Sequence, residues 1–294
     1  MHEGGEDIHS GDRAGLRWSV ERRLDFVERR LVWEGRINRS DLVERFGVSP
    51  NQATADLKRF EAARPGALVY DTRARTYRAG PGLRSADAAD TGDLLREFRL
   101  IAEGVMPASD GTLAAGPPLA VAEAPLRRVE PATLAAVVTA IRDRRELAAV
   151  YRSFTTPEPR RRRLEPHALV FDGFRWHARA RDIGSDRFKD FVLGRLSEAA
   201  LGARATGDPS RDLDWHQTVD LVIAPHPDLA PHQRAAVEAD YGMTDGRRVL
   251  TCRRAVEYYV RRRLGLVPGH EGLKAADQHI VLVSSTARPG EAGN

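Results

Sequence analysis

The most chemically distinctive part of the chain is a stretch in which cationic and apolar residues alternate, from Phe174 to Arg181. In a β-strand, successive side chains point to opposite faces of the sheet. One face would then carry Phe174, Trp176, Ala178 and Ala180, and the other would carry Arg175, His177, Arg179 and Arg181. The first face is suited to a core, whereas a row of guanidinium groups is suited to a polyvalent anion such as phosphate. The alternative is a solvated edge strand whose arginines prevent aggregation.

The composition of the chain indicates the kind of protein that carries this strand. Its 294 residues, of which 41% are hydrophobic, suffice for two or three domains. The only lysines are Lys58, Lys189 and Lys274, so arginine dominates the basic residues. Because arginine pairs with phosphate through two parallel hydrogen bonds and stacks on bases, this usage favours a nucleic acid among the partners. The alternative is a GC-rich genome, which also favours arginine codons.

Other classes of protein fit the sequence poorly. No apolar run approaches the roughly 18 residues that a membrane-spanning helix needs. The single cysteine, Cys252, excludes an internal disulfide and a cysteine-rich zinc site. We therefore expect a cytoplasmic protein with no membrane partner, no metal site and no cofactor.

Residues 18–80 have the spacing of a winged helix-turn-helix domain. A helical period begins at the start of this range, and Ser40 is suited to open a second helix. Ser49 is suited to cap a third helix with Pro50 at its first position, where the missing N–H costs nothing. Two strand-like pieces then predict a β-hairpin wing.

The third helix is the predicted recognition helix. Ala53, Leu57 and Phe60 lie three and four residues apart and should pack inward. Asparagine and glutamine can pair with adenine in the major groove, and cations can contact phosphate. We predict DNA contacts from the outward residues of this helix and from the wing: Ser49, Asn51, Gln52, Thr54, Lys58, Arg73 and Arg75. The alternative is a three-helix protein-interaction module whose polar residues are solvated.

Changes in composition divide the rest of the chain. The predicted fold is a multidomain α+β arrangement with a sheet domain over 131–205 and a small α+β domain over 212–286. We expect a disordered tail over 1–17, a linker with one docking helix over 81–130, and a short tail over 287–294.

Four segments of the sheet domain form a recognisable set: Tyr151-Arg152-Ser153, Pro166-His167, Gly173-Phe174-Arg175-Trp176-His177 and Phe188-Lys189-Asp190-Phe191-Val192-Leu193-Gly194-Arg195. Asp172-Gly173 is a hairpin signal between two of the predicted strands. These segments resemble a WYL domain. Behind a winged helix, they resemble the bacterial WYL-domain transcriptional regulators, particularly the BrxR/CapW group that represses phage-defence operons. The resemblance covers the chain from Trp18 to about Ser285.

The resemblance implies a central Sm-like antiparallel β-barrel and a C-terminal dimerisation domain. It also implies that the WYL domain binds a nucleic acid or nucleotide, at the matching positions Tyr151, Ser153, His167, Arg175, His177, Arg179 and Arg195. The family's Trp-Tyr-Leu triplet stands here as Trp176-His177-Ala178, so the role of the tyrosine does not carry over unchanged. For His167, a structural role is an equal alternative.

The C-terminal region has a βαβαβ-like pattern from Asp214 to Ser284. Its basic run, Arg261 to Arg263, is better suited to a solvated or interface face than to a second DNA site. His226 and His232 have no thiolate partners, which disfavours zinc.

No catalytic residues are predicted. The chain has no P-loop, dinucleotide fingerprint or nucleophile elbow, and Asp56-Leu57-Lys58 is its one match to a nuclease spacing. We predict a homodimeric, autoregulating repressor that binds an inverted repeat in double-stranded DNA and responds to a nucleic-acid or nucleotide effector. The alternatives are a WYL-type activator that responds to single-stranded DNA and, in another class, a nuclease or nucleotide-processing enzyme.

Overall fold

The computed structural model describes residues 8–83, 91–122 and 127–288, with side chains from residue 19 onward. The chain divides into two compact units, 1–123 and 124–294, and each unit has its own buried core. No helix in the described ranges is long and apolar enough to cross a membrane.

The first unit is built from four helices and a small sheet. Its elements are α1 (Ile8–Glu34), β1 (Arg36–Ile37), α2 (Arg39–Phe46), α3 (Pro50–Ala63), β2 (Leu68–Asp71), β3 (Thr76–Ala79) and α4 (Thr91–Ala102). The expected tail over 1–17 is wrong for residues 8–17, which are helical, while residues 1–7 lie outside the described part. Extending a helix that has already formed costs far less than nucleating one, so α1 can continue on the N-terminal side of Trp18 without a second nucleus.

Short side chains and glycines set the ends of the helices in this unit. Gly35, at φ 71°, ends α1 in the left-handed conformation. The second helix begins at Arg39 rather than at Ser40. The Asp41 carboxylate accepts a hydrogen bond from the backbone N–H of Asn38 at 2.7 Å, which places Asn38 just before the helix. Ser49 caps α3 as predicted, since its hydroxyl accepts a hydrogen bond from the backbone N–H of Gln52 at 3.2 Å.

The winged helix-turn-helix pattern is present in the described residues. The inward residues Ala53, Leu57 and Phe60 are buried with Leu42 and Ile37 in one core. The wing is a three-stranded antiparallel sheet of order β1-β3-β2. The predicted docking helix is α4, whose Leu94 is buried.

The central part of the second unit is a helix and an antiparallel sheet. Its elements are α5 (Pro131–Arg142), β4 (Arg145–Tyr151), β5 (Arg160–Phe171), β6 (Trp176–Asp182), β7 (Arg187–Val192) and β8 (Leu196–Arg204). The five strands have the order β7-β6-β5-β4-β8. This sheet is open, with β7 and β8 at its edges, so the expected closed barrel is not observed among the described residues.

The two faces of β6 do not divide as the alternation predicts. Ala178 and Ala180 are fully buried against α5 and the neighbouring strands, as expected. Trp176 and Phe174, which were expected in the core, are 48% and 60% exposed. The strand begins only at Trp176, in the last pair before the hairpin loop, where its ring lies 5.0 Å from that of Phe171. These aromatic residues therefore extend beyond the core.

The C-terminal part of the second unit has the predicted alternation of strands and helices. Its elements are α6 (Leu213–His216), β9 (Thr218–Pro225), α7 (Pro231–Asp240), β10 (Arg248–Arg253), α8 (Arg254–Arg263) and β11 (Ile280–Ala287). The three strands pair antiparallel in the order β10-β9-β11. Strand β9 buries Val219, Leu221 and Ile223 on one face, as its period of two requires.

Candidate nucleic-acid and effector sites

The outer surface of α3 carries the side chains predicted to read DNA. They differ in solvent exposure and in whether a hydrogen bond already engages them. Asn51 and Lys58 are exposed. Thr54 is half-buried, and its hydroxyl donates to the Pro50 carbonyl at 2.9 Å. Ser49 uses its hydroxyl to cap the helix, so its direct role is to position the N-terminus of α3.

Gln52 is tied to a buried ion pair that the sequence did not reveal. Its Nε2 donates to Asp56 Oδ1 at 3.0 Å, and Asp56 Oδ2 accepts from Arg23 Nε at 2.6 Å. Asp56 is fully buried, so its carboxylate links α1 to α3. The Nε2 group of Gln52 is thereby engaged by Asp56.

The loop of the wing presents two cations. Arg73 and Arg75 are exposed, and Arg75 adopts a left-handed backbone at φ 52°. Arg78 is less available, because its Nε donates to Asp71 Oδ2 at 2.8 Å. The predicted wing contacts are therefore placed on the surface of the same unit as α3.

On β6, each predicted cation faces a carboxylate. Asp172, in the β5–β6 loop, accepts from Arg175 Nε at 3.0 Å, and its Oδ2 lies 2.9 Å from His177 Nε2. The amides of Phe174 and Arg175 both donate to Asp172 Oδ1 at 2.8 Å. Burial alone would raise the pKa of Asp172, but these four donors lower it to about 2. The carboxylate is therefore ionised at neutral pH.

Farther along the strand, Arg179 is enclosed by acidic groups. Its Nε and Nη2 donate to the two oxygens of Asp212, each at 2.7 Å, and its Nη1 donates to Asp190 at 3.2 Å. Arg179 is only 5% exposed. Burial opposes its charge, but the two carboxylates more than compensate and raise its pKa. Arg181 is held in the same way by Glu165 and Asp186, at 2.7 Å and 2.6 Å.

Two further residues complete this network of the second unit. His167 Nε2 lies 2.9 Å from Asp212, and burial lowers the pKa of this histidine more than the carboxylate raises it. Tyr259 of α8 donates to Asp190 at 2.8 Å, and its ring lies 4.9 Å from that of His177. The tyrosine is therefore part of the site although no sequence pattern pointed to it. Its position depends on the packing of α8 against the sheet.

The remaining predicted ligand residues lie in a second group. Tyr151 packs edge-on against Phe191 at 5.1 Å, and Ser153 accepts from the Thr155 amide at 3.1 Å. Arg195 stacks over the exposed ring of Phe154 at 3.8 Å.

The structure thus brings His167, Arg175, His177 and Arg179 into one network and leaves Tyr151, Ser153 and Arg195 apart from it. The three arginines of the predicted ligand set do not line one cavity in the described part of the chain. Arg175 lines a cavity at the hairpin loop, Arg179 is closed in by Asp212 and Asp190, and Arg195 stacks on Phe154. For Arg179 the cause is pairing with carboxylates from other segments, Asp212 and Asp190.

Three family models match consecutive parts of the chain. The BrxR transcriptional regulator winged helix-turn-helix domain matches residues 19–91, the WYL domain matches 132–201, and the BrxR C-terminal dimerization domain matches 218–287. A DNA-binding transcriptional repressor CapW from Stenotrophomonas maltophilia is 39% identical over 278 residues, which cover 94% of this chain and 93% of the relative. The chain belongs to the family of BrxR and CapW transcriptional regulators.

Other members of the BrxR and CapW family match over similar lengths. The CapW repressor of Pseudomonas aeruginosa is 37% identical over 87% of this chain and 86% of its own length. That of Escherichia coli is 33% identical over 90% of this chain and 89% of its own length. Among solved structures, the proteasome accessory factor B/C of Arthrobacter aurescens matches with 17% identity and a TM-score of 0.27, over 90% of this chain and 45% of that one.

Proposed function

We propose that the protein is a homodimeric, sequence-specific DNA-binding transcriptional repressor that acts in the cytoplasm. The observation that carries this proposal is the Ser49-capped helix α3, which exposes Asn51 and Lys58 within a winged helix-turn-helix unit. A helix of this kind can enter the major groove, where asparagine pairs with adenine. The curated relatives named CapW, all described as DNA-binding transcriptional repressors, support the same function.

The contacts with DNA are proposed to combine base reading and backbone neutralisation. Asn51 and Gln52 would read base edges, while Ser49, Thr54 and Lys58 would position α3 on the phosphates. Arg73 and Arg75 of the wing would add contacts to the backbone or minor groove.

Dimerisation is proposed to be mediated by the C-terminal domain, which matches the BrxR dimerization model over 218–287. A two-fold symmetric dimer presents two recognition helices, so its operator should be an inverted repeat. The centres of the half-sites should lie about one helical turn, or a multiple of one, apart.

The regulated genes are proposed to be those of a phage-defence operon that includes the gene of the repressor itself. A nucleic-acid or nucleotide effector in the WYL domain would alter the affinity for the operator. Such coupling requires that the effector bind the operator-bound and released states with different affinities. The Arg179 side chain is 6% exposed and paired with two carboxylates, whereas the Arg175 side chain is 23% exposed and paired with one, so we assign first contact with the effector to Arg175.

A regulator without enzymatic activity is the form of this proposal that the geometry favours. Asp56, the carboxylate of the Asp56-Leu57-Lys58 nuclease spacing, is fully buried in its ion pair with Arg23. A carboxylate in that position is unavailable to a metal ion or to water.

The proposal is tested by titrating a labelled duplex from the region upstream of the protein's own gene and measuring fluorescence anisotropy. A scrambled duplex of the same length and composition is the control. At physiological salt, we expect the upstream duplex to bind about a thousandfold or more tightly than the scrambled one. Equal affinity for the two duplexes would contradict a sequence-specific repressor.

A further inference from the structure

A cavity of about 380 Å³ lies in the second unit, between the β5–β6 hairpin loop and the C-terminal end of α8. Its lining consists of Arg127, Asp172, Phe174, Arg175, Tyr259, Arg262 and Arg263. The hairpin belongs to the WYL region and α8 belongs to the C-terminal region. Two regions that the family models separate therefore contribute to one concave surface.

The charges of this cavity are unbalanced, in contrast to those around Arg179 and Arg181. Of the seven described residues that line it, four carry guanidinium groups and one, Asp172, carries a carboxylate. That carboxylate already accepts from Arg175, from two backbone amides and from His177. Arg262 has a neutral partner, the Tyr258 hydroxyl, at 3.3 Å. The cavity therefore has cationic groups in excess of its one acid.

The backbone of the hairpin brings the loop close to α8. Gly173 has a φ of 96°, a conformation that L side chains rarely adopt. A Cβ atom at this position would lie 3.3 Å from the Arg263 Cδ atom and 3.4 Å from its Nε atom. Glycine thus lets the Arg263 side chain lie directly against the loop, which places its guanidinium in the cavity with that of Arg175.

An aromatic surface adjoins the cations. Phe174 lines the cavity and is 60% exposed. Beyond it, Phe171 and Trp176 form an exposed ring pair at the base of the same hairpin. Exposed rings beside guanidinium groups are the combination that binds an unpaired base and its phosphate, because the base stacks on the ring while the cations neutralise the phosphate.

We propose that this cavity binds a terminal phosphate attached to an unpaired nucleoside. Arg127, Arg175, Arg262 and Arg263 hold the phosphate, and Phe174 stacks on the base. The cavity volume is in the range of small-ligand sites. The inference rests on the proposed function of an effector-regulated repressor. It adds the chemistry of the effector and the residues that contact it. Two of the four arginines, Arg262 and Arg263, come from α8.

Occupancy of this cavity would connect the WYL region to the C-terminal region. The phosphate would bridge Arg175 of the hairpin and Arg262 and Arg263 of α8, which otherwise repel one another. Binding would therefore draw the hairpin and α8 together, and the proposed dimerisation domain would sense the effector directly.

The test is isothermal titration calorimetry on the purified full-length protein with four probes. These are thymidine monophosphate, thymidine, a 5′-phosphorylated single-stranded hexanucleotide, and the same hexanucleotide without the phosphate. We expect each phosphorylated probe to bind at least about tenfold more tightly than its unphosphorylated partner, since charge-assisted hydrogen bonds are lost with the phosphate. Tighter binding of the hexanucleotide than of the monophosphate would identify a strand end as the source of the phosphate, and the reverse would identify a free nucleotide.

A matched pair of variants locates the site. Arg262→Ala/Arg263→Ala removes two cavity cations and should weaken the phosphorylated probes about 30-fold. Arg247→Ala/Arg248→Ala removes two exposed adjacent arginines from the same region but outside the cavity, and should leave probe affinity unchanged. Phe174→Ala should weaken the phosphorylated probes while pyrophosphate, which has no base, binds as before. Far-ultraviolet circular dichroism and thermal midpoints confirm that each variant is folded.

Three results would overturn the inference. They are equal affinity for phosphorylated and unphosphorylated probes, equal losses in the two double-arginine variants, and the absence of binding to a folded wild-type protein. Operator affinity, measured on the same wild-type preparation, separates this inference from the proposed function. Specific operator binding without probe binding overturns only the cavity assignment, whereas loss of specific operator binding overturns the repressor itself.

Discussion

The outer face of α3 with its wing and the cationic face of β6 are both rich in polar and basic residues. They differ in whether carboxylates from other segments neutralise the cations. Asn51, Lys58, Arg73 and Arg75 are exposed to solvent. On β6, by contrast, Arg179 is 5% exposed and is paired with Asp212, which lies 33 residues away in the sequence. The availability of a cation to an external anion therefore depends on acids supplied by other segments. The first region can bind a partner as it stands, and the second is primarily an internal network.

The largest expected effect comes from breaking that network. Arg179→Ala leaves Asp212 and Asp190 without their main counter-charge, and we expect it to lower the free energy of unfolding by about 3–5 kcal/mol. Urea denaturation measures this change. The matched control is Arg161→Ala, which removes a surface pair whose members are 65% and 64% exposed and should cost less than about 1 kcal/mol. Equal losses in the two variants would contradict the difference between the two regions.

A smaller effect is expected from the recognition helix. Asn51→Ala should weaken operator binding by about 1–3 kcal/mol and reduce the preference for the operator over a scrambled duplex. Gln52→Ala should reduce this preference less, because one end of the Gln52 amide is already held by Asp56. Fluorescence anisotropy with both duplexes measures the two affinities. An unchanged preference in the Asn51 variant would remove α3 from base recognition.

The titration of Asp172 should make the free energy of unfolding depend on pH. The pKa of Asp172 is depressed to about 2, so the stability that it contributes is present above its ordinary pKa near 4 and is lost as the pH falls toward 2. Because the shift is less than two pH units and the loop is partly exposed, we expect a contribution of about 1–2 kcal/mol. The difference in unfolding free energy between wild type and Asp172→Asn should therefore shrink between pH 5 and about pH 2. A difference that stays constant across this range would contradict the assignment.

The smallest expected effect concerns a single cation. Lys58→Ala should lower operator affinity about equally for all sequences and reduce the slope of log K against log salt by about one. Lys274→Ala, an exposed lysine of the second unit, is the matched control and should leave the slope unchanged. The same slope in both variants would mean that Lys58 does not contact phosphate.

Local signals in the sequence predicted much of the fold. The Ser49 cap, the inward residues of α3, the Asp172-Gly173 hairpin and the alternation of β9 all depend on neighbouring residues, and each is present in the structure. The second helix begins one residue earlier than predicted, because Asn38 stands before the helix and its backbone amide donates to Asp41.

The candidate site was less predictable, because it depends on contacts between distant segments. The period of β6 correctly separates Ala178 from Arg179, but it does not say that Trp176 lies beyond the end of the core. It also carries no information about Asp212 or Tyr259, which come from the segments that follow the sheet. The closure of a barrel likewise depends on the pairing of β7 with β8, the first and last strands of the sheet order, which no local pattern specifies.

The most direct test of the account is a hydroxyl-radical footprint of the wild-type protein on the region upstream of its own gene, with the Lys58→Ala/Arg73→Ala/Arg75→Ala variant beside it. The account predicts two protected half-sites, related as an inverted repeat and separated by whole helical turns, that disappear in the variant at the same protein concentration. Absence of a protected repeat, or the same protection in the variant, would contradict the claim that α3 and the wing hold operator DNA.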